Sequence, residues 1–464
     1  MTITNSIKQV LARVFSLDES SAENAGNYSR FAWKCVAWVI VIRFILAAWI
    51  IIFPDSRGYD TFASLLSPPL HRIGNTNDAY FYWVIANYGF HPDPSLDIVN
   101  GWQLVNFSPM YPAILYATKF LFQDATPFVV NTIFNALTPW FLVGFLKNVV
   151  KDEATVKKMA IAILFNPIFM AYSMFALTEP LHYLLLFVVL RAHYGKGLAW
   201  RVVEYACLVV LVLNRFVAVV LAAFYVWKAL FRKGARFKER VLLLVPAGIM
   251  AAAYLAWEMI SRLLFGISPS QARSDYWQHY FNFNPFVPGF IEKQGFLLLA
   301  GAVLGVLVLM STLSKKNEAM QAESSSFERL DMQAFLAFAA ATIMFIGLQN
   351  EPFSVLRYMG TLFPLYMIIF IKTPSSKLLP FASFVIVTGL VTASLVAMAV
   401  VFQGNATVQF TPLDLALVAV FTITFIGTSI IFYLRRENIH SLNKLLAIQL
   451  LLEVLLVPMC IYFP

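Results

Sequence analysis

Apolar runs recur along the chain, most of them long enough as helix to cross a hydrocarbon core of ~30 Å. They predict spans near 32–53, 127–146, 159–177, 180–191, 201–213, 216–228, 241–265, 294–313, 331–349, 357–371, 380–402, 413–434 and 444–462. The intervening stretches 1–34, 147–158, 191–201, 228–240, 315–329, 372–377 and 435–444 hold most of the 34 Lys and Arg residues. Cytoplasmic loops are the basic ones, so these stretches face the cytoplasm and the N-terminus lies inside. The pattern predicts an all-α, polytopic integral membrane protein with about 11 to 13 crossings.

One region departs from simple spans. Residues 159–190 would make ~48 Å of helix and 202–227 ~39 Å, each short of two full crossings. Each stretch is therefore either one tilted span or a hairpin of short helices. Arg191, Lys196 and Arg201 place 191–201 inside and favour hairpins, with breaks at Thr178-Glu179-Pro180 and Asn214-Arg215. Broken backbone at membrane depth is tolerated only against protein or a water-filled cavity. The expectation is an external cavity faced by Glu179 and Arg215.

Composition agrees: 60% of the residues are hydrophobic, 13% are charged, and the mean hydropathy is +0.72. The net charge of +9 follows the topology rather than any nucleic-acid-binding patch. Cys35, Cys207 and Cys460 lie in apolar stretches without CxxC spacing, which argues against a disulfide framework or a thiolate metal site. The first ~30 residues are polar and mixed, without the apolar core that a cleavable signal would need, and none is expected. The Ser-rich stretch 322–326 marks a linker. The domain reading is a tail over 1–31, a transmembrane module over 32–313 that includes an external loop at 54–107, a linker over 314–330, and C-terminal spans over 331–464.

That loop is far longer than a connection requires, and such loops are usually functional or disordered. Its aromatics and prolines argue for order. Residues 78–88 read as a short interfacial helix with Thr76 or Asn77 as N-cap and Gly89 as stop. Asp78 then sits in the first turn, where the helix dipole favours its ionised form, and such a carboxylate facing a cavity suits a general base. Capping alone also accounts for it. A second helix start follows at 106–112, with Ser108 as N-cap and Pro109 in the first helical position.

Asp78, Ile85-Ala86-Asn87-Tyr88-Gly89-Phe90 and Asn106-Phe107-Ser108-Pro109-Met110-Tyr111-Pro112 resemble motifs of the PIG-V family of GT-C membrane mannosyltransferases. Asn166-Pro167, Tyr172-Ser173, Thr178-Glu179-Pro180-Leu181, Leu213-Asn214-Arg215-Phe216 and Arg357-Tyr358 with Phe363-Pro364-Leu365 continue the resemblance in order. It covers roughly 70–230 well and 350–366 less closely. Asn77 replaces the family's usual Trp, Asn106 an aromatic, and Val217-Ala218 lacks its glycine. The resemblance implies a GT-C-type helix bundle that transfers a sugar, mannose or a related one, from a polyprenyl- or dolichyl-phosphate donor to a lipid-linked or glycolipid acceptor. It further implies an inverting reaction on the external or lumenal face with Asp78 as base. The basic-inside pattern fits a prokaryotic plasma membrane or an endoplasmic reticulum membrane.

The leaving group is a lipid phosphate, whose developing charge calls for Arg or Lys. Arg215 and Arg357 are the candidates, with ion pairs to Glu179 and Glu351 as the structural alternatives. Glu179 either orients Arg215 or bonds a sugar hydroxyl. Tyr82, Asn106, Tyr358, Arg273 and Trp277 complete the expected substrate-binding set, the last two from a loop at 266–293. Arg43, within the first span, serves the donor lipid or is a packed charge, the second being favoured. No cofactor or metal is expected: there is no DxD, and His71, His91, Asp93 and Asp97 lack ligand spacing. Broken helices with Glu179 and Arg215 would also suit a transporter or lipid-sugar flippase, and a non-catalytic subunit of a glycosylation complex would keep the fold without needing Asp78.

Overall fold

The computed structural model describes residues 22–52, 78–90, 101–123, 126–173, 177–277, 296–313, 329–348, 357–358, 360–370, 378–403, 412–435, 447–449 and 451–452. Among the described residues there are seventeen α-helices and no strand. The first is α1 (Ala22–Ile52), which begins ten residues before the apolar run because Tyr28 and Phe31 already pack on the core. The loop helix is α2 (Asp78–Tyr88); Gly89 ends it with a φ of 82° and its N–H returns to Ile85 O at 2.9 Å. That left-handed conformation is why a glycine stands there.

The single turn α3 (Gly101–Leu104), which the hydropathy pattern does not signal, precedes α4 (Met110–Phe122). Pro109, not Ser108, is the cap residue of α4, and no side chain bonds its free N–H groups. Pro109 brings no N–H of its own to the helix start.

The centre of the molecule is built by α5 (Thr126–Val149), α6 (Glu153–Leu164), α7 (Pro167–Ser173), α8 (Glu179–Tyr194) and α9 (Leu198–Asn214). α8 packs against both α5 and α9, so 198–214 returns along 179–194 as a hairpin. The chain does break into separate helices at both places. Glu179 is the first residue of α8, with Pro180 in its first turn, where a missing N–H costs nothing. Arg215 ends α9 in an extended conformation, and a 3-10 turn (Phe216–Leu221) leads into α10 (Ala222–Phe231). Both breaks thus fall where the sequence put them.

Beyond them lie α11 (Phe237–Phe265), α12 (Pro269–Trp277), α13 (Phe296–Leu313), α14 (Arg329–Leu348), α15 (Phe363–Phe370), α16 (Leu378–Gln403) and α17 (Pro412–Arg435). α10 packs on α11 and α14, and α15 on α6, α14 and α16, so the chain before and after 314–330 shares one core.

By length and composition three described helices can cross a membrane: Thr126–Val149, Phe237–Phe265 and Leu330–Leu348. Helix α11 leaves Leu242, Leu255, Met259, Leu263 and Leu264 exposed. A face of that kind is costly in water and is what lipid covers.

A candidate anion site at two helix breaks

Glu179 is fully buried, and a single oxygen organises the two arginines expected from the sequence. Glu179 Oε1 accepts from Arg215 Nη1 at 2.8 Å and from Arg357 Nε at 2.8 Å. The Arg215 guanidinium also lies 4.5 Å from the centroid of the Tyr358 ring, a cation–π geometry. Arg357 therefore pairs with Glu179; Glu351 lies outside the described residues. The sequence expectation of an open cavity faced by Glu179 and Arg215 is corrected: both are buried and locked to each other.

The helix breaks make this possible. The carbonyl of Leu177 is freed before α8, that of Thr178 already accepts from His182 N at 2.9 Å, and a side-chain amide meets each of them. Asn131 Nδ2 of α5 donates to Leu177 O at 3.3 Å and Asn214 Nδ2 to Thr178 O at 3.1 Å. Satisfying freed backbone in this way lets a helix start inside a membrane-spanning bundle. The start places Glu179 in the first turn of α8, where the dipole favours a carboxylate. Tyr183, one turn later, donates from its hydroxyl to Arg357 O at 3.0 Å and so fixes the segment bearing the second arginine. Gly360 permits this approach: a β-carbon there would stand 2.2 Å from Tyr183 Cζ.

Aromatic contacts form the surroundings. Tyr82 of α2 is buried, with its ring 5.5 Å from that of Tyr111 and 5.2 Å from that of Phe107. Phe90 packs on Trp257 and Phe265 at the end of α11. Asn106 Oδ1 accepts from Arg273 Nε of α12 at 2.9 Å. The first loop and the segment after α11 are thus joined by two residues that the sequence analysis assigned separately to substrate. Their amide and guanidinium bond one another.

Asp78 is the first residue of α2; its side chain lies outside the described part, as does that of Trp277. Thr76, Asn77, His71, His91, Asp93 and Asp97 also lie outside the described residues. Sequence reasoning missed His182 and Tyr111, both fully buried; neither ring nitrogen of His182 has a partner among the described residues. The signal for His182 was available: it follows Glu179 by three positions and so shares its helix face.

A second buried network occupies the other end of the α8–α9 hairpin. Glu204 Oε1 meets His193 Nδ1 at 2.8 Å and accepts from Tyr225 Oη at 2.9 Å, while Oε2 accepts from Arg201 Nη1 at 2.6 Å. Lys228 Nζ meets His193 Nε2 at 3.1 Å and Asp331 Oδ1 at 2.7 Å. These bonds fasten α8, α9, α10 and α14 together. Arg201 and Lys228, read from the sequence as topology charges, are in part structural ties.

No family model matches the chain, and no curated protein matches it. Among solved structures, ArnT from Cupriavidus metallidurans bound to undecaprenyl phosphate is similar at 14% identity and a TM-score of 0.45, over 92% of this chain and 75% of that one. The class defined by the described residues is a helical bundle of membrane-spanning character with a buried carboxylate–diarginine centre at two helix breaks.

Proposed function

We propose that the protein is a GT-C-type membrane glycosyltransferase that uses a polyprenyl- or dolichyl-phosphate sugar, most simply a mannosyl donor, and a lipid-linked or glycolipid acceptor. The observation that carries the reading is the convergence of Arg215 and Arg357 on Glu179 Oε1. Two guanidiniums held in place by one carboxylate keep a net positive charge where a lipid phosphate would leave. The ordered run of motifs through Asp78, Glu179, Arg215 and Arg357 supports the same reading, including the PIG-V-like subgroup.

In the reaction, Asp78 takes the proton of the acceptor hydroxyl. The hydroxyl oxygen bonds the sugar's anomeric carbon as the bond from that carbon to the phosphate oxygen breaks. The electron pair leaves on the lipid phosphate, and attack from the opposite face inverts the configuration. Arg215 and Arg357 bind the phosphate. Glu179 Oε1 holds them, while Oε2, without a partner among the described residues, is free to accept from a sugar hydroxyl. Tyr82, Tyr358 and Trp277 offer aromatic surfaces to the sugar, and Asn106 and Arg273 close the loop over it. Nothing in this scheme requires a metal.

The test is release of polyprenyl phosphate from labelled polyprenyl-phosphate mannose, with total membrane lipid as acceptor, by the wild type and Asp78→Asn. Turnover by the wild type with a loss of orders of magnitude in the variant is expected. If the wild type releases nothing from this or from other lipid-phosphate sugars, the transferase reading falls.

A further inference from the structure

The proposed transfer depends on where α2 holds Asp78, and α2 is a weak helix by itself. It has 11 residues, about 16 Å of helix. Helices shorter than ~12–15 residues are marginal without tertiary support. The middle of α2 has that support: Tyr82, Trp83, Val84, Ile85 and Ala86 are buried, and Phe81 stacks on Phe107 at 5.0 Å. Apolar burial has no direction. It fixes the face that α2 turns to the core and leaves slide and tilt to directional bonds.

Lys119 of α4 supplies such bonds. Its Nζ donates to Ala86 O at 3.2 Å and to Asn87 Oδ1 at 3.4 Å. Asn87 Nδ2 in turn donates to Trp83 O at 2.9 Å. The carbonyls of Ile85 and Ala86 are among the last four of α2, which no N–H of the helix can reach. Gly89 N takes the first and the Lys119 ammonium the second. A cation suits this end, where the helix dipole is negative. Lys119 lies in the last turn of α4 and could have served the dipole of its own helix. Its ammonium instead crosses to α2, 4.6 Å from the centroid of the Tyr116 ring.

We propose that Lys119 is a positioning residue of the transfer: by locking the C-terminal end of α2, it sets the place of Asp78 at the other end. The inference rests on the transferase reading and deepens it. The bonds within α2 make it move as a unit, so an end that slips carries Asp78 with it. A general base acts only within hydrogen-bond reach of the proton it takes. Misplacement by ~1 Å, caused by a substitution far from the chemistry, lowers a rate by up to about a hundredfold. In this role Lys119 touches neither donor nor acceptor and works through α2 alone.

The experiment compares full-length wild type, Lys119→Met, Lys119→Arg, Asp78→Asn and the double variant Lys119→Met with Asp78→Asn in lipid nanodiscs. Polyprenyl-phosphate mannose is the donor and total membrane lipid the acceptor, and amide hydrogen exchange over 78–88 is recorded alongside. Lys119→Met keeps the apolar stem and drops the charge, while Lys119→Arg keeps a charged donor. In Lys119→Met, kcat should fall about ten- to a hundredfold, with KM for the donor within about twofold of the wild type. Exchange over 78–88 should quicken while that of α5 stays as it is, and Lys119→Arg should recover most of both. Because Lys119 acts through Asp78, its loss should add nothing to the residual turnover of Asp78→Asn. Unchanged exchange over 78–88 overturns the proposal, as does quickened exchange with unchanged kcat. So does a loss of the same factor in the Asp78→Asn background; in each of these cases the transferase reading stands. If the wild type turns over neither this nor any other lipid-phosphate sugar, the transferase reading and the proposal fall together.

Discussion

Asn106 and Arg273, 167 residues apart, are joined by a hydrogen bond of 2.9 Å from the guanidinium Nε to the amide oxygen. The bond sits beside a small apolar cluster of Val105, Ile267 and Ala272, so polar and apolar contacts together dock the first loop on the start of α12. Asn106→Ala and Arg273→Ala should each lower turnover, and the double variant should fall short of the sum. A double-mutant cycle in urea stability should give a coupling of about 0.5–3 kcal/mol. Additive effects would show that the pair is not coupled.

Glu179→Gln removes the charge shared by Arg215 and Arg357. Breaking a buried pair while leaving its cations in place costs about 3–5 kcal/mol. Melting in detergent should drop by several degrees, and transfer should fall with it. Removing Arg357 in the Glu179→Gln background should recover part of the lost stability, because one stranded cation is gone. No recovery would show that the ion pair is not the source of the loss.

Gly360→Ala tests the packing beneath Arg357. The added methyl would collide with the Tyr183 ring, which is held by buried neighbours and bonded to Arg357 O. Overpacking of this kind costs about 1–3 kcal/mol. Paired with Tyr183→Phe, which removes the bond and keeps the ring, the comparison separates crowding from hydrogen bonding. Gly360→Ala should reduce both melting temperature and turnover, while Tyr183→Phe should lower turnover more than stability.

Asp152 caps α6 outside the membrane-spanning segments. Its carboxylate accepts from the Thr155 hydroxyl and from Thr155 N at 2.9 Å, and the hydroxyl bond most of all holds its pKa below the ordinary value of 3.8. A carboxyl with a depressed folded-state pKa adds stability above its unfolded value, and that contribution disappears as pH falls through the folded value. Acid titration of melting should therefore show a loss that begins as pH drops below the ordinary carboxylate range. Asp152→Asn retains an acceptor but should flatten this part of the profile; an unchanged slope would assign it to other groups.

Glu204 ties His193, Tyr225 and Arg201 together at the end of the α8–α9 hairpin opposite Glu179. Glu204→Ala strands those partners and should be strongly destabilising, by about 3–5 kcal/mol. A variant that melts like the wild type would show that the network contributes nothing net.

The hydropathy pattern by itself determined the class of fold. Long apolar runs must be helical in lipid, since only a helix satisfies its own backbone there. It also pointed to breaks at Glu179 and Arg215, because the runs there are too short for two full spans and the basic residues Arg191, Lys196 and Arg201 favoured hairpins over single tilted spans. The stop at Gly89 was equally legible, since φ there is positive. What the linear pattern did not contain was partnership. Arg357 could have met Glu351 nearby in sequence, but it reaches Glu179 across 178 residues, in a bundle where the Phe363 ring of α15 meets Phe187 of α8 at 5.2 Å. Asn106 and Arg273 looked like two substrate contacts and bond each other instead. Arg43 read as a packed charge, and the bundle supplies it with the neutral acceptors Thr132 and Ser173 from α5 and α7. Periodicity reports which face a residue occupies, whereas the partner of a buried charge depends on which helices the whole bundle brings within ~3 Å of it, a distance that hydrogen bonding demands.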